Sequence, residues 1–164
     1  MRTACLAVAL TLALAFSNSW NAAQNKENAV TQKNVRFIKS DTMPPSPGYS
    51  QAVEVRPVSR IVYIAGQVAM DHSGKLVGEG DLRAQATQTF ENLKSALLAS
   101  GATFENVVKL NSYFVDISQL PAFREVRDKY VNIANPPVST AVQVSRLFRE
   151  GFLVEVEAVA IVPE

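Results

Sequence analysis

The chain has 164 residues, 48% hydrophobic and 19% charged, the makeup of one globular domain able to bury a sizeable core. Lys and Arg number 16 against 15 Asp and Glu, so net charge favours neither nucleic acid nor an anionic membrane as partner. A single Cys (Cys5) and a single His (His72) remove most of the catalytic vocabulary. They supply no typical transition-metal site, and no phosphate-binding glycine pattern points to a cofactor.

Residues 1–23 read as a secretory leader. Arg2 is a short positive region, Leu6 to Phe16 is an apolar run broken only by Thr11, and Ala13-Leu14-Ala15 offers a cleavage site. Ser17 and Ala23 are further candidates for the cut. The competing reading is a permanent anchor or a buried helix. Against it, the run is short for a bilayer and the polar stretch after it carries no stop-transfer pattern. Cleavage would take Arg2 and Cys5 away, leaving 15 basic and 15 acidic residues and no thiol. The expectation is an exported protein, periplasmic or extracellular, with no stable membrane association once the leader is gone.

Residues 24–34 are polar and Asn-rich, a flexible tether ahead of a domain spanning 35–164. Val35 to Ile38 is a short strand. Three prolines and a glycine between Met43 and Gly48 impose a loop. Tyr49–Val55 and Ile61–Ala65 are strands, and the turn between them, with Pro57 and two charges, predicts a hairpin. Gly66-Gln67 interrupts the second strand, where glycine allows close approach by a ligand or neighbour. Asp71-His72-Ser73-Gly74 is a turn, so His72 is read as a solvated tip. Asp81 to Ser100 is the strongest helix, with Leu82, Ala86, Phe90, Leu93 and Leu97 on one stripe and Gly101 beyond its end. Val107–Val115 is a strand with Val108, Leu110 and Phe114 on one face. Leu120–Val131 is a shorter helix with Pro121 in its first turn.

Asn135-Pro136-Pro137 stops that helix. The last two strands, Ser139–Val144 and Phe152–Val162, flank a charged turn and read as a hairpin. In the second of them Val154, Val156, Ala158, Ala160 and Val162 share a face, while Glu155, Glu157, Val159 and Ile161 share the other. Two carboxylates followed by two apolar residues make an odd surface to show to water. Cover by another subunit is the economical remedy. The element order predicts an α+β layer, two helices on one face of a mixed sheet.

The segments PGYSQAV (47–53), AGQVAMD (65–71), ENLKSALLASGATFENVVK (91–109), PPVSTAVQV (136–144) and LVEVEAVAIV (153–162) resemble the Rid family, also called YjgF. The resemblance implies a chorismate-mutase-like α+β fold with a six-stranded type of mixed sheet, assembled as a homotrimer with intersubunit clefts. For its best-known branch it implies hydrolysis of enamine/imine intermediates to 2-keto acids and ammonia. By that resemblance Glu155 is the catalytic carboxylate that orients water. Tyr49 is the cleft tyrosine, Ala65 the small residue before the Gly-Gln pair, and the backbones of Gly66 and Ala141 line the pocket. The family's substrate-binding arginine is missing, and Ser139 holds its place. Serine offers one neutral donor where a guanidinium makes two charge-assisted bonds. Arg124, on the second helix, aligns with a cleft asparagine and is a candidate replacement; its bland reading is an exposed charge beside Glu125, Arg127 and Asp128. Arg146, in a V-x-R-L turn, is read as structural.

Four functions follow. The first is an exported homotrimer whose clefts bind a small metabolite, an imino or keto acid, with altered or lost hydrolysis. The second is an active enamine/imine deaminase. The third, an endoribonuclease or translation inhibitor, is disfavoured by neutral charge and the lack of a His pair. A purely structural or chaperone-like trimer is the fourth.

Overall fold

The structure, a computed structural model, describes residues 34–38, 46, 48–56 and 60–162. The leader, most of the tether, most of the proline loop and the centre of the first turn lie outside them. Among the described residues the strands are β1 (Val35–Ile38), β2 (Ala52–Val55), β3 (Arg60–Gln67), β4 (Val107–Phe114), β5 (Val138–Gln143) and β6 (Val154–Val162). The helices are α1 (Leu82–Ala99) and α2 (Leu120–Arg127).

The six strands divide into a four-stranded sheet of order β3-β6-β4-β5 and a separate ribbon of β1 and β2. Neither expected hairpin forms. β2 pairs antiparallel with β1, and β3 pairs antiparallel with β6. The physical reason is that pairing with β1 lets β2 bury an apolar side chain on the sheet. Val53 then packs with Val35 and Phe37 against Ile161 and Val108 on the sheet's outer face. At the other end β5 pairs parallel with β4, and β4 lies between β5 and β6. A parallel pair needs a crossover connection, and α2 supplies it.

α1 begins at Asp81, whose carboxylate accepts from the backbone N–H of Arg83 (2.9 Å) and Ala84 (3.2 Å). Its stripe of Leu82, Ala86, Phe90, Leu93 and Leu97 is buried as expected. Gly101, at φ +69°, turns the chain out of the helix. Phe90 is the hub of the core: its ring centroid lies 5.0 Å from Tyr130, 5.6 Å from Phe123 and 5.9 Å from Phe104. Gln85 is buried on the same helix with its amide satisfied. It donates to the carbonyls of Gly78 (3.1 Å) and Gly151 (2.8 Å) and accepts from the Leu153 N–H (2.8 Å), tying α1 to the entrance of β6.

α2 ends at Arg127, four residues earlier than the pattern predicts. Lys129 and Tyr130 instead donate to the carbonyls three residues back, tightening the chain into turns ahead of Pro136. In β4 a register shift between Val107 and Lys109 breaks the simple alternation. Val107, Leu110 and Phe114 therefore face the helices, while Val108 faces outward and joins the ribbon's cluster. The β1–β2 ribbon thus covers the Val159–Ile161 end of the outer face, cover that the sequence pattern does not reveal. The rest of that face stays open, with Tyr63 78% and Ile61 46% exposed.

Candidate functional site

On the open part of the sheet Glu155 of β6 lies across from Gly66 of β3, at a register shift between Ile64 and Gln67. A β-carbon on Gly66 would overlap the Glu155 carboxylate, so glycine here is the notch in which that group sits. Glu155 is half-buried, and its carboxylate accepts no hydrogen bond among the described residues. Burial pushes its pKa above the ordinary carboxylate value, and the neighbouring Glu157 adds to the shift. Glu157 differs. It accepts from Asn111 Nδ2 and Tyr113 Oη, each at 3.2 Å. Burial first, then the bond to Glu157, holds the Tyr113 hydroxyl above its usual pKa. Beside Glu157 a hollow of about 400 Å³ is lined by Tyr63, Ala65, Lys109 and Asn111 among others. Asn111, Tyr113 and Glu157 carry no chemical motif in the sequence. Only their shared face, set by the β4–β6 register, brings them together.

A second group forms on the opposite flank. Ser50 is 1% exposed; its hydroxyl donates to the Pro136 carbonyl at 2.6 Å and its N–H to Pro137 at 3.3 Å. This joins the Tyr49 turn to the entrance of β5, which carries Ser139. The Tyr49 hydroxyl has no partner among the described residues. Ser139 and Ala141 are register partners of Leu110 and Ser112, so they share the helix-covered face. Glu155, opposite Tyr113, is on the other. Within one chain the expected site residues therefore fall into two groups. Ala65, Gly66 and Glu155 form one, Tyr49, Ser139 and Ala141 the other.

Arg124 is half-buried on α2, and its Nε is buried without a hydrogen-bond partner. The acids beside it are engaged elsewhere, Glu125 with Arg83 and Asp128 with Arg127. Arg127, named from sequence only as a charge beside Arg124, is 4% exposed. The last turn departs from expectation. Arg146 is exposed and makes no hydrogen bond or ion pair among the described residues, whereas Arg149 donates to the Gly74 carbonyl at 3.2 Å and covers the Phe152 ring at 4.7 Å. His72 lies exposed in a turn built on Asp71, whose carboxylate accepts from the N–H groups of Ser73 and Lys75. No helix among the described residues is long and apolar enough to cross a membrane.

A chorismate-mutase-like α+β layer with a carboxylate notched into its open face defines a Rid-type protein. Residues 40–162 match the model of the family described as Ribonuc_L-PSP, endoribonuclease L-PSP, and the chain belongs to that family, the Rid or YjgF family. It is 38% identical over 127 residues to protein DfrA of Myxococcus xanthus, covering 77% of this chain and 95% of that one. It is 37% identical over 127 residues to the human 2-iminobutanoate/2-iminopropanoate deaminase, covering 77% and 89%. Among solved structures, the Rid-family protein YyfB of Yersinia pestis superposes with a TM-score of 0.73 at 38% identity, covering 79% of this chain and 99% of that one. RidA of an Antarctic Psychrobacter gives 0.59 at 31%, covering 77% and 99%.

Proposed function

We propose that the protein is an exported homotrimer whose intersubunit clefts bind a small 2-imino or 2-keto acid, with hydrolysis attenuated by Ser139. The observation that carries this reading is the Glu155 carboxylate, desolvated in the Gly66 notch and without a hydrogen-bond donor among the described residues. A raised pKa and an open coordination sphere suit a group that orients a water and passes its protons. The split of the site into two groups supports a cleft shared between copies, in which the Glu155 group of one chain meets the Tyr49–Ser139 group of another. The human relative's name gives the matching chemistry. Water oxygen adds to the imine carbon, the C–N bond of the resulting carbinolamine breaks, and ammonia leaves with the protons, giving a 2-keto acid. A phosphodiester substrate fits less well, because Glu155 and Glu157 stand side by side on the open face and repel its charge.

Without a guanidinium at 139 the substrate carboxylate loses a contact of about 2–5 kcal/mol, and hydrolysis falls with it. A second reading rests on the unpartnered Nε of Arg124: this arginine clamps the carboxylate, and the protein is a full deaminase. Ammonia release from freshly generated 2-iminopropanoate, in leaderless protein, separates the two. Under the first reading release is slow, Ser139→Arg raises it at least about tenfold, and Arg124→Gln changes little. Under the second, Arg124→Gln abolishes release. Absence of both ammonia release and pyruvate binding sinks both readings. Export is checked by the N-terminal mass of the chain recovered from cell fractions, a cut among residues 13–24 being the expected result.

A further inference from the structure

We propose that Arg127 is a positioning residue for the cleft, a buried platform that fixes the Tyr49 wall before any ligand arrives. The inference rests on the cleft reading above for its function, but not for its geometry. Arg127 closes α2, and its side chain is nearly excluded from solvent. Burying a guanidinium is costly unless something specific is gained, and a surface alternative was open to a helix of eight residues facing water on one side. Its charge is met by Asp128 Oδ1, which accepts from Nε at 2.8 Å and Nη2 at 2.6 Å. The same Nη2 end of the guanidinium lies against Gly48. A β-carbon there would stand 2.5 Å from Nη2, and Gly48 holds φ at +74°. Glycine is thus required twice, by the backbone angle and by the cation beneath it.

The next residue but one completes the clamp. Ser50 is held to Pro136 and Pro137 by the two hydrogen bonds already described. Tyr49 is therefore fixed on both sides, by α2 through Gly48 and by the β5 entrance through Ser50, while its own hydroxyl has no partner among the described residues. A planar, charge-fixed support on one side and a hydrogen-bonded anchor on the other preorganise the ring. That spares the ligand the ordering of a loop. Arg127 acts through Tyr49 and touches no substrate.

The test uses two readouts on the assembled full-length protein, with Arg127→Lys, Arg127→Gln and Gly48→Ala. Amide hydrogen exchange needs no ligand. Residues 48–51 are expected to exchange about tenfold faster in Arg127→Gln and Gly48→Ala, while residues 90–97 in α1 keep their wild-type protection. Wild-type protection at 48–51 in the folded variants overturns the proposal. The second readout is pyruvate affinity in a double-mutant cycle with Tyr49→Ala. Arg127→Gln should weaken binding about tenfold in the wild-type background and less than about twofold where Tyr49 is gone. Equal losses in both backgrounds would assign Arg127 a merely structural role and refute the idea. Should Arg127→Gln not fold, Arg127→Lys, which keeps the charge and loses the plane, carries both measurements. A wild-type protein that binds no pyruvate fails the cleft reading and leaves the exchange result to decide on Arg127.

Discussion

Gly66 and Glu155 form a unit in which each residue explains the other: the absent side chain makes the space, and the carboxylate fills it. The local cost is visible in the titration of Glu155, whose proton the fold holds more tightly than an unfolded chain does. A carboxyl group with a raised folded-state pKa costs nothing while protonated and destabilises once ionised. Stability therefore falls as pH rises from about 4, the unfolded carboxylate value, through the shifted one. Glu155→Gln keeps the shape and removes the charge. Its melting temperature should match wild type at about pH 4 and exceed it increasingly towards pH 7. Thermal melts at a series of pH values check this. A difference that shrinks or reverses with rising pH would mean that a cation stabilises the ionised group, and Arg124 reaching across a seam is the first candidate.

At the scale of elements the core hangs on α1, and the heaviest single commitment is Phe90 with its three aromatic neighbours. Phe90→Ala should cost about 3–5 kcal/mol in denaturant unfolding, because neither α2 nor the sheet can collapse into the space. A loss below about 1 kcal/mol would show that the Phe104–Tyr130 pair repacks. This part of the fold was legible in advance, since a 3.6-residue stripe and a glycine beyond its end are local signals. Strand pairing was not. β5 and β6 look like a hairpin because they are adjacent in sequence. Their separation by β4 depends on α2 delivering β5 parallel to β4, a long-range outcome no local pattern encodes. The alternation in β4 misled for a related reason, as one bulge after Val107 turns Val108 to the opposite face. The candidate site divides along the same line. Glu155, Gly66, Ser139 and Arg124 could be named from matching segments, whereas Arg127 carries no sequence mark, and only its burial under Gly48 distinguishes it from its exposed neighbours.

Across the whole molecule the decisive surface is the part of the outer sheet face that the β1–β2 ribbon does not reach. Val159 and Ile161 are covered by Val35, Phe37 and Val53, but Ile61, Tyr63 and Val142 stand exposed around the paired glutamates. A large aromatic this exposed, flanked by aliphatics on a rigid sheet, has the makeup of an interface anchor. None of the three is needed by a monomer, since the core is already complete on the helix side. If the chain closes on itself threefold through this face, a charge introduced at Tyr63 meets its own symmetry mates and is buried without a partner. Tyr63→Glu should then reduce the sedimenting mass from three chains to one, with the far-ultraviolet circular dichroism of the fold intact. It should also abolish ligand binding, because each cleft would lose the half supplied by its neighbour. A Tyr63→Glu protein that still sediments as a trimer would put the seam on another face. A wild-type protein that sediments as one chain would remove the shared cleft altogether and leave Glu155 as a half-buried strand residue with no site to serve.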